Sequence, residues 1–159
     1  MIYRKKSSIA PAGGESQARV RGVLPADLEQ VIEIDTLVTG LRKDSYWADI
    51  LRRYGGGRRQ RYFLVAEEDG RIEGYVIGEV RDWEFGSAPC GWVFAISVRP
   101  DARLGGTGTG LLEAICDHFR RAGVATLRTM LGRDNQLILS FFRSQGMMAA
   151  PFIPLEKEL

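Results

Sequence analysis

Apolar residues recur along the chain at two spacings, and the changes between them mark out the elements. Residues 19–23 are a short candidate first strand. Pro25-Ala26-Asp27-Leu28 then opens a helix, with Leu28, Val31, Ile32 and Asp35 at helical intervals and Gly40 ending it or the loop behind it. Asp27 and Glu29 lie near the start, where the helix dipole favours negative charge. A second helix is expected from about 45 to 54, with Trp47, Ile50 and Leu51 as its apolar stripe. Gly55-Gly56-Gly57-Arg58-Arg59 follows as a basic turn, read most plainly as a solvated loop. Residues 62–67 and 71–81 are rich in Phe, Val, Ile and Tyr and flank Asp69-Gly70, the signature of a β-hairpin. Gly74 and Gly78 weaken the second of these strands or mark a bulge.

A further strand, 91–98, is stopped by Pro100, which has no N–H for a sheet ladder. The period then changes. Leu111, Leu112, Ile115, Cys116 and Phe119 share one face of a helix expected over 110–121, with Gly123 as its C-terminal cap. Residues 124–131 alternate as a strand. Asp134 or Asn135 caps a helix whose Ile138, Phe141 and Phe142 point inward, and Gly146 stops it. Residues 152–159 are expected to close the chain as a last strand, irregular or at an edge because of Pro151 and Pro154. The order β, α, α, β, β, β, α, β, α, β implies an α/β fold, a central mixed β-sheet flanked by helices.

Composition narrows the function classes. At 159 residues, 45% hydrophobic and 26% charged, the chain is expected to form one domain over 19–159, with 1–18 a loosely attached arm in which Ile2-Tyr3 could pair. A net charge of +2 gives no basis for nucleic-acid binding. One histidine, His118, and two distant cysteines, Cys90 and Cys116, make neither a zinc site nor a disulfide framework, so no metal is expected. Two thiols suit a reducing cytoplasm. No apolar run reaches the roughly 18 residues a membrane span needs. Arg4, Lys5 and Lys6 have no apolar segment behind them, so no signal peptide is expected.

The chemistry concentrates in residues 96–115, ISVRPDARLGGTGTGLLEAI. Gly105, Gly106, Gly108 and Gly110 stand between a strand and a helix. There small residues let successive N–H groups approach a phosphate and the helix dipole adds positive potential. A Walker A loop would need Gly-Lys-Ser/Thr, but Gly110 is followed by Leu111-Leu112. A dinucleotide fingerprint fails at Leu111, Glu113 or Thr107, depending on the starting glycine. The spacing R-x-x-G-x-G does fit, met by Arg103, Leu104, Gly105, Gly106, Thr107 and Gly108, with V-x-P upstream at Val98, Arg99 and Pro100. Together these residues resemble the coenzyme A pyrophosphate loop of the GNAT superfamily of acetyl-CoA-dependent N-acyltransferases. The resemblance in element order runs from about Val20 to the C-terminus, and the specific motifs lie in the second half.

That resemblance implies acetyl transfer from acetyl-CoA to the primary amine of a small molecule or peptide, through a tetrahedral intermediate. It implies that 104–109 (Leu104, Gly105, Gly106, Thr107, Gly108, Thr109) offer backbone donors to the pyrophosphate and that Arg103 adds charge. The main chain of Ile96, Ser97 and Val98 would pair with the pantetheine arm, and the Val98 N–H would polarise the thioester carbonyl. A second family motif falls on Asn135, Phe142, Gly146 and Met147, which makes Asn135 and Phe142 candidate coenzyme contacts; Asn135 also fits a plain helix N-cap, and Phe142 equally fits core packing on the helix. Where many relatives carry a tyrosine to protonate the leaving thiolate, Phe142 has no hydroxyl. The early part of 90–98 also lacks the glutamate some relatives use as base, so Glu79, Asp82 and Glu84 are the nearest carboxylates, with Glu79 the candidate base. Trp83, Tyr46 and Trp47 are candidates for an acceptor pocket or for core. A non-catalytic acyl-CoA-binding module is the alternative reading. Dimers are common among the proteins it resembles, so the resemblance is compatible with a homodimer and leaves the oligomeric state open.

Overall fold

The computed structural model describes residues 18–159. All but the last residue of the expected arm, and any pairing of Ile2-Tyr3, lie outside them. Among the described residues, β1 (Arg19–Gly22), β2 (Arg61–Glu68), β3 (Arg71–Arg81), β4 (Cys90–Val98) and β5 (Leu127–Arg128) form one sheet in chain order. The first four strands pair antiparallel, and β5 runs parallel to β4. The β2–β3 hairpin turns on Asp69 and Gly70, both at positive φ (50° and 79°), the twist that a two-residue hairpin requires.

Helices cover both faces. α1 (Leu28–Thr39) and α2 (Asp44–Tyr54) pack on one side, and α3 (Thr107–Arg121) and α4 (Gln136–Ser144) on the other. Alternation along the strands serves both layers: Phe63, Val65, Tyr75 and Ile77 join Val31, Ile34, Trp47 and Ile50, while Leu64, Ala66 and Val76 join Leu111, Ile115, Phe119 and Phe142. A strand buried on both faces reads as an unbroken apolar run, which explains the composition of β2 and β3. Gly40, left-handed at φ 72°, ends α1 as expected.

Buried polar groups tie the layers together. Asp35 accepts the Trp47 indole N–H at 2.8 Å and pairs with Lys43 at 2.9 Å, joining α1 to α2. Asp27 is buried and takes a fork of bonds from Arg21 (2.7 and 2.9 Å), with the Leu24 N–H at 2.7 Å. The Arg21 guanidinium, helped by the Leu24 N–H and opposed by burial, holds the Asp27 carboxyl below the usual carboxylate range. A depressed folded-state pKa means the stabilisation is complete above the ordinary carboxylate pKa and disappears as the pH falls through the folded value. Asp27→Asn is therefore expected to lose on the order of 2 kcal/mol at neutral pH and to flatten the acid limb of the stability curve, read by urea unfolding at stepped pH.

Three expectations change. α3 starts at Thr107, not 110, because Gly106 at φ 78° caps it and brings Gly108 and Gly110 into the first turn. The strand expected over 124–131 pairs only at Leu127–Arg128. The last strand, expected over 152–159, is absent among the described residues: Pro151 and Pro154 withhold two ladder donors, and Ile153 and Leu155 are exposed with nothing to pack on.

Candidate functional site

The site begins where β4 and β5 part. β4 is paired to β3 along its length, but to β5 only at Gly91–Leu127 and Trp92–Arg128. The β3–β4 register shifts between Ile77 and Gly78, so that Ala95 faces Ile77, Val93 faces Gly78, and Phe94 is the extra, bulged residue. Beyond it the sheet opens as a fork. The Arg99 N–H donates to the Glu73 carbonyl of β3 at 2.8 Å. Two-residue alternation then turns the Ser97 N–H toward β3 and the N–H and C=O of Ile96 and Val98 into the opening. Of the three strand-end residues expected to offer main-chain bonds, Ile96 and Val98 have theirs on the open side.

At the wide end of the fork lies the start of α3. Pro100–Gly105 make a 3-10 turn, and the first helical bond runs from the Gly110 N–H to the Gly106 carbonyl at 3.0 Å. The N–H groups of Thr107, Gly108 and Thr109 precede that bond, so they project from the helix end with the positive end of its dipole. The left-handed Gly106 makes this geometry possible. Gly108 lies close against the Phe141 ring, where a Cβ would come within 3.2 Å of Cε2. The Thr109 hydroxyl accepts from Gln145 Nε2 at 3.1 Å, pinning the first turn to the end of α4.

These parts meet in one cleft of about 340 Å³. Ile96, Ser97, Val98, Arg103, Gly106, Gly108, Thr109 and Asn135 all line it. Asn135 also caps α4, its Oδ1 accepting the Ile138 N–H at 3.2 Å, so the expected N-cap and a place in the cleft lining coexist. Thr107 is buried beneath the turn, and the Leu104 side chain is fully exposed, which leaves Leu104 and Gly105 only their main chain to offer.

Phe142 requires a correction. It is 4% exposed and belongs to the core under α4, whereas its neighbour Phe141 lines the cleft. Counting along the motif selects 142, but adjacent helical residues point about 100° apart, and 141 carries the face toward Gly108. Val38, Leu137 and Ile138 also line the cleft and carry no sequence signal beyond apolarity. Phe142→Tyr is expected to bury a hydroxyl without a partner and cost about 1–3 kcal/mol. It should lower the melting temperature without raising any turnover; faster turnover would mean that the hydroxyl reaches the site.

The candidate base lies at the other end of the fork. Glu79 is paired across β3–β4 with Trp92, six positions along β3's partner from Val98, or roughly 20 Å at strand rise. Its carboxylate accepts from the Tyr54 hydroxyl (2.9 Å) and Arg81 Nε (3.2 Å), with Arg61 Nε at 3.8 Å. Burial, and then this bond to Glu79, push the Tyr54 phenol above its ordinary pKa. Asp82 and Glu84 are exposed, and Glu84 lies 3.9 Å from Arg81. Trp83 and Tyr46 are exposed, while Trp47 is core. Among the described residues, no cluster of three or more His, Cys, Asp or Glu is placed to hold a metal ion, and no helix is long and apolar enough to cross a membrane.

A family model described as Acetyltransferase (GNAT) family matches residues 28–147. The chain is 37% identical over 79 residues to the L-2,4-diaminobutyric acid acetyltransferase of Nocardia farcinica, covering 50% of this chain and 39% of that protein. It is 31% identical over 88 residues to the mycothiol acetyltransferase of Saccharomonospora viridis, covering 54% of this chain and 29% of that one. The matches thus span well under half the length of either relative. Among solved structures, the aminoglycoside N-acetyltransferase AAC(6')-Iy in complex with CoA superposes with a TM-score of 0.80 at 17% identity, over 94% of this chain and 99% of that one. The aminoglycoside 6'-N-acetyltransferase AAC(6')-Ih of Acinetobacter baumannii does so with 0.75 at 16% identity, over 89% and 98%. At such identities these likenesses establish the mixed-sheet fold.

Proposed function

The chain belongs to the acetyltransferase (GNAT) family, and from that premise we propose that it transfers an acetyl group from acetyl-CoA to a primary amine of a small molecule or peptide. One observation carries the reading: the N-terminus of α3 opens directly into the fork whose edge is Ile96 and Val98, in a single cleft. An anion seated on the helix end could therefore extend an amide-bearing arm along free main-chain groups, as strand addition does. Both relatives are named as acetyltransferases, and the name of one specifies L-2,4-diaminobutyric acid, a small molecule with two amines, which supports the same class of reaction.

In this reading the N–H groups of Thr107, Gly108 and Thr109 bind the pyrophosphate oxygens, and Arg103 adds a guanidinium beside them. Bound acetyl-CoA supplies an acyl thioester, an activated acetyl group ready for aminolysis. The main chain of Ile96 and Val98 holds the pantetheine arm in register, and an N–H on this edge, that of Val98 or Ile96, polarises the thioester carbonyl. Glu79, roughly 20 Å along the strand from Val98, attracts the ammonium of the acceptor toward the fork; at that span the proton of the attacking amine passes to solvent water rather than to the carboxylate. Phe142 offers no proton to the departing thiolate, whose moderate basicity lets it leave without a side-chain acid. Cytoplasmic residence belongs to the same proposal, supported by the two free thiols, Cys90 and Cys116.

The test is release of free coenzyme thiol from acetyl-CoA on addition of primary amines. Release that depends on the amine is the expected result. Binding of acetyl-CoA with no release under any amine would instead favour the acyl-CoA-binding module.

A further inference from the structure

The fork has a closed end, and its chemistry differs from that of the coenzyme cleft. Arg61 pairs with Glu79, Glu79 with Trp92, and Trp92 with Arg128, so one lateral row crosses four strands. Residues opposite one another share a face, here the face of Tyr75 and Ile77 beneath α1 and α2. On the other face Gly91 and Gly78 are pressed against Phe119 of α3, which shuts that side. α2 ends at Tyr54, and the bulged Phe94 beside it remains 38% exposed. An acceptor meeting the tip of an arm laid along the fork must therefore approach across this row.

The row carries three guanidiniums, those of Arg61, Arg128 and the neighbouring Arg81, against one carboxylate. Glu79 is already engaged by Arg61, Arg81 and Tyr54, and Arg81 also lies over the Trp92 ring at 4.8 Å and reaches Glu84 at 3.9 Å. Arg128 stands apart. It is half-buried, donates to Ser87 Oγ at 2.7 Å and Cys90 Sγ at 3.4 Å, and lies 4.4 Å over the Phe152 ring. Among the described residues no carboxylate lies within salt-bridge distance of it. A half-buried guanidinium held by neutral partners keeps a desolvation cost that an incoming anion relieves.

We propose that Arg128 is the specificity residue of the acceptor site and holds a carboxylate carried by the acceptor, which is therefore an amino acid or short peptide rather than a polycation. The inference rests on the transferase reading above and names its substrate class. Arg61 and Arg81 add a positive field that a polyamine must oppose, while Glu79 marks where the ammonium end is drawn.

The experiment compares matched acceptors by thiol release from acetyl-CoA: lysine with 1,5-diaminopentane, glycylglycine with its C-terminal amide, and spermidine as a polycation. The carboxylate-bearing member is expected to win by roughly ten- to hundredfold in kcat/KM, the range of a charge-assisted bond. Arg128→Gln should bring that ratio toward one, and Arg128→Lys, a point charge without the planar fork, should retain part of it. Calorimetric binding of acetyl-CoA by each variant checks that the fold stands. Preference for the amines that lack a carboxylate, or a carboxylate preference that survives Arg128→Gln, would overturn the inference while leaving the transferase reading intact. Acetyl-CoA binding with no thiol release from any amine would instead sink the transferase reading and this inference with it.

Discussion

Gly106→Glu is expected to weaken acetyl-CoA binding by at least about a hundredfold, a larger functional effect than any other single substitution in the coenzyme cleft should produce. Two costs combine. Gly106 sits at φ 78°, where an ordinary side chain costs roughly 1–2 kcal/mol. The new carboxylate would also stand at the mouth of the α3 N-terminus and repel a pyrophosphate there. Nothing lies within 4 Å of a Cβ built at this position, so the substitution does not disturb the core. Gly106→Asn separates the two costs, because Asn tolerates the left-handed region and adds no charge. That variant should bind within several-fold of the parent, and a glutamate variant with parental affinity would mean that the helix end does not hold the coenzyme.

Gly91→Val is expected to produce the largest loss of stability. At Gly91 α3 lies tight against β4: a Cβ there would lie 2.6 Å from Cγ of the buried Phe119 ring and 2.7 Å from its Cε2. Neither a core ring nor a strand paired on both edges can give way cheaply, and overpacking of this kind costs about 3 kcal/mol. For a chain of this size that lowers the melting temperature by about 10 °C. Phe119→Leu should recover part of the loss when combined with Gly91→Ala, because residues in contact do not behave additively. An unchanged melting temperature for Gly91→Val would show that α3 is not held against the fork as described.

Much of the frame follows from local patterns. Asp69-Gly70 specifies the hairpin, and Gly40, Gly123 and Gly146 each reach the left-handed conformation that a helix end uses. The R-x-x-G-x-G spacing points to the cleft because backbone access to an anion depends on glycine placement, which a sequence records directly. Other features depend on pairing between distant segments. The fork exists because Phe94 is the extra residue opposite Ile77 and Gly78, and nothing in VFAISV announces it. The glycines at 108 and 110 suggest loop, although one left-handed residue at 106 suffices to start the helix before them. Phe141 and Phe142 differ only in helical phase, which motif counting does not resolve. Glu79 reads as an isolated acid until the fold brings Tyr54, Arg61 and Arg81 to it, and Arg128 carries no signal at all.

The most direct test of the coenzyme site is a calorimetric titration of the protein with acetyl-CoA, with free coenzyme A and ATP titrated alongside. Micromolar binding of acetyl-CoA and coenzyme A with little binding of ATP is the expected result. A folded-state ligand should also raise stability by about 2.7 kcal/mol at a hundredfold excess over its dissociation constant. Absence of acetyl-CoA binding, or tighter binding of ATP, would contradict the assignment of the α3 N-terminus and the fork as an acetyl-CoA site.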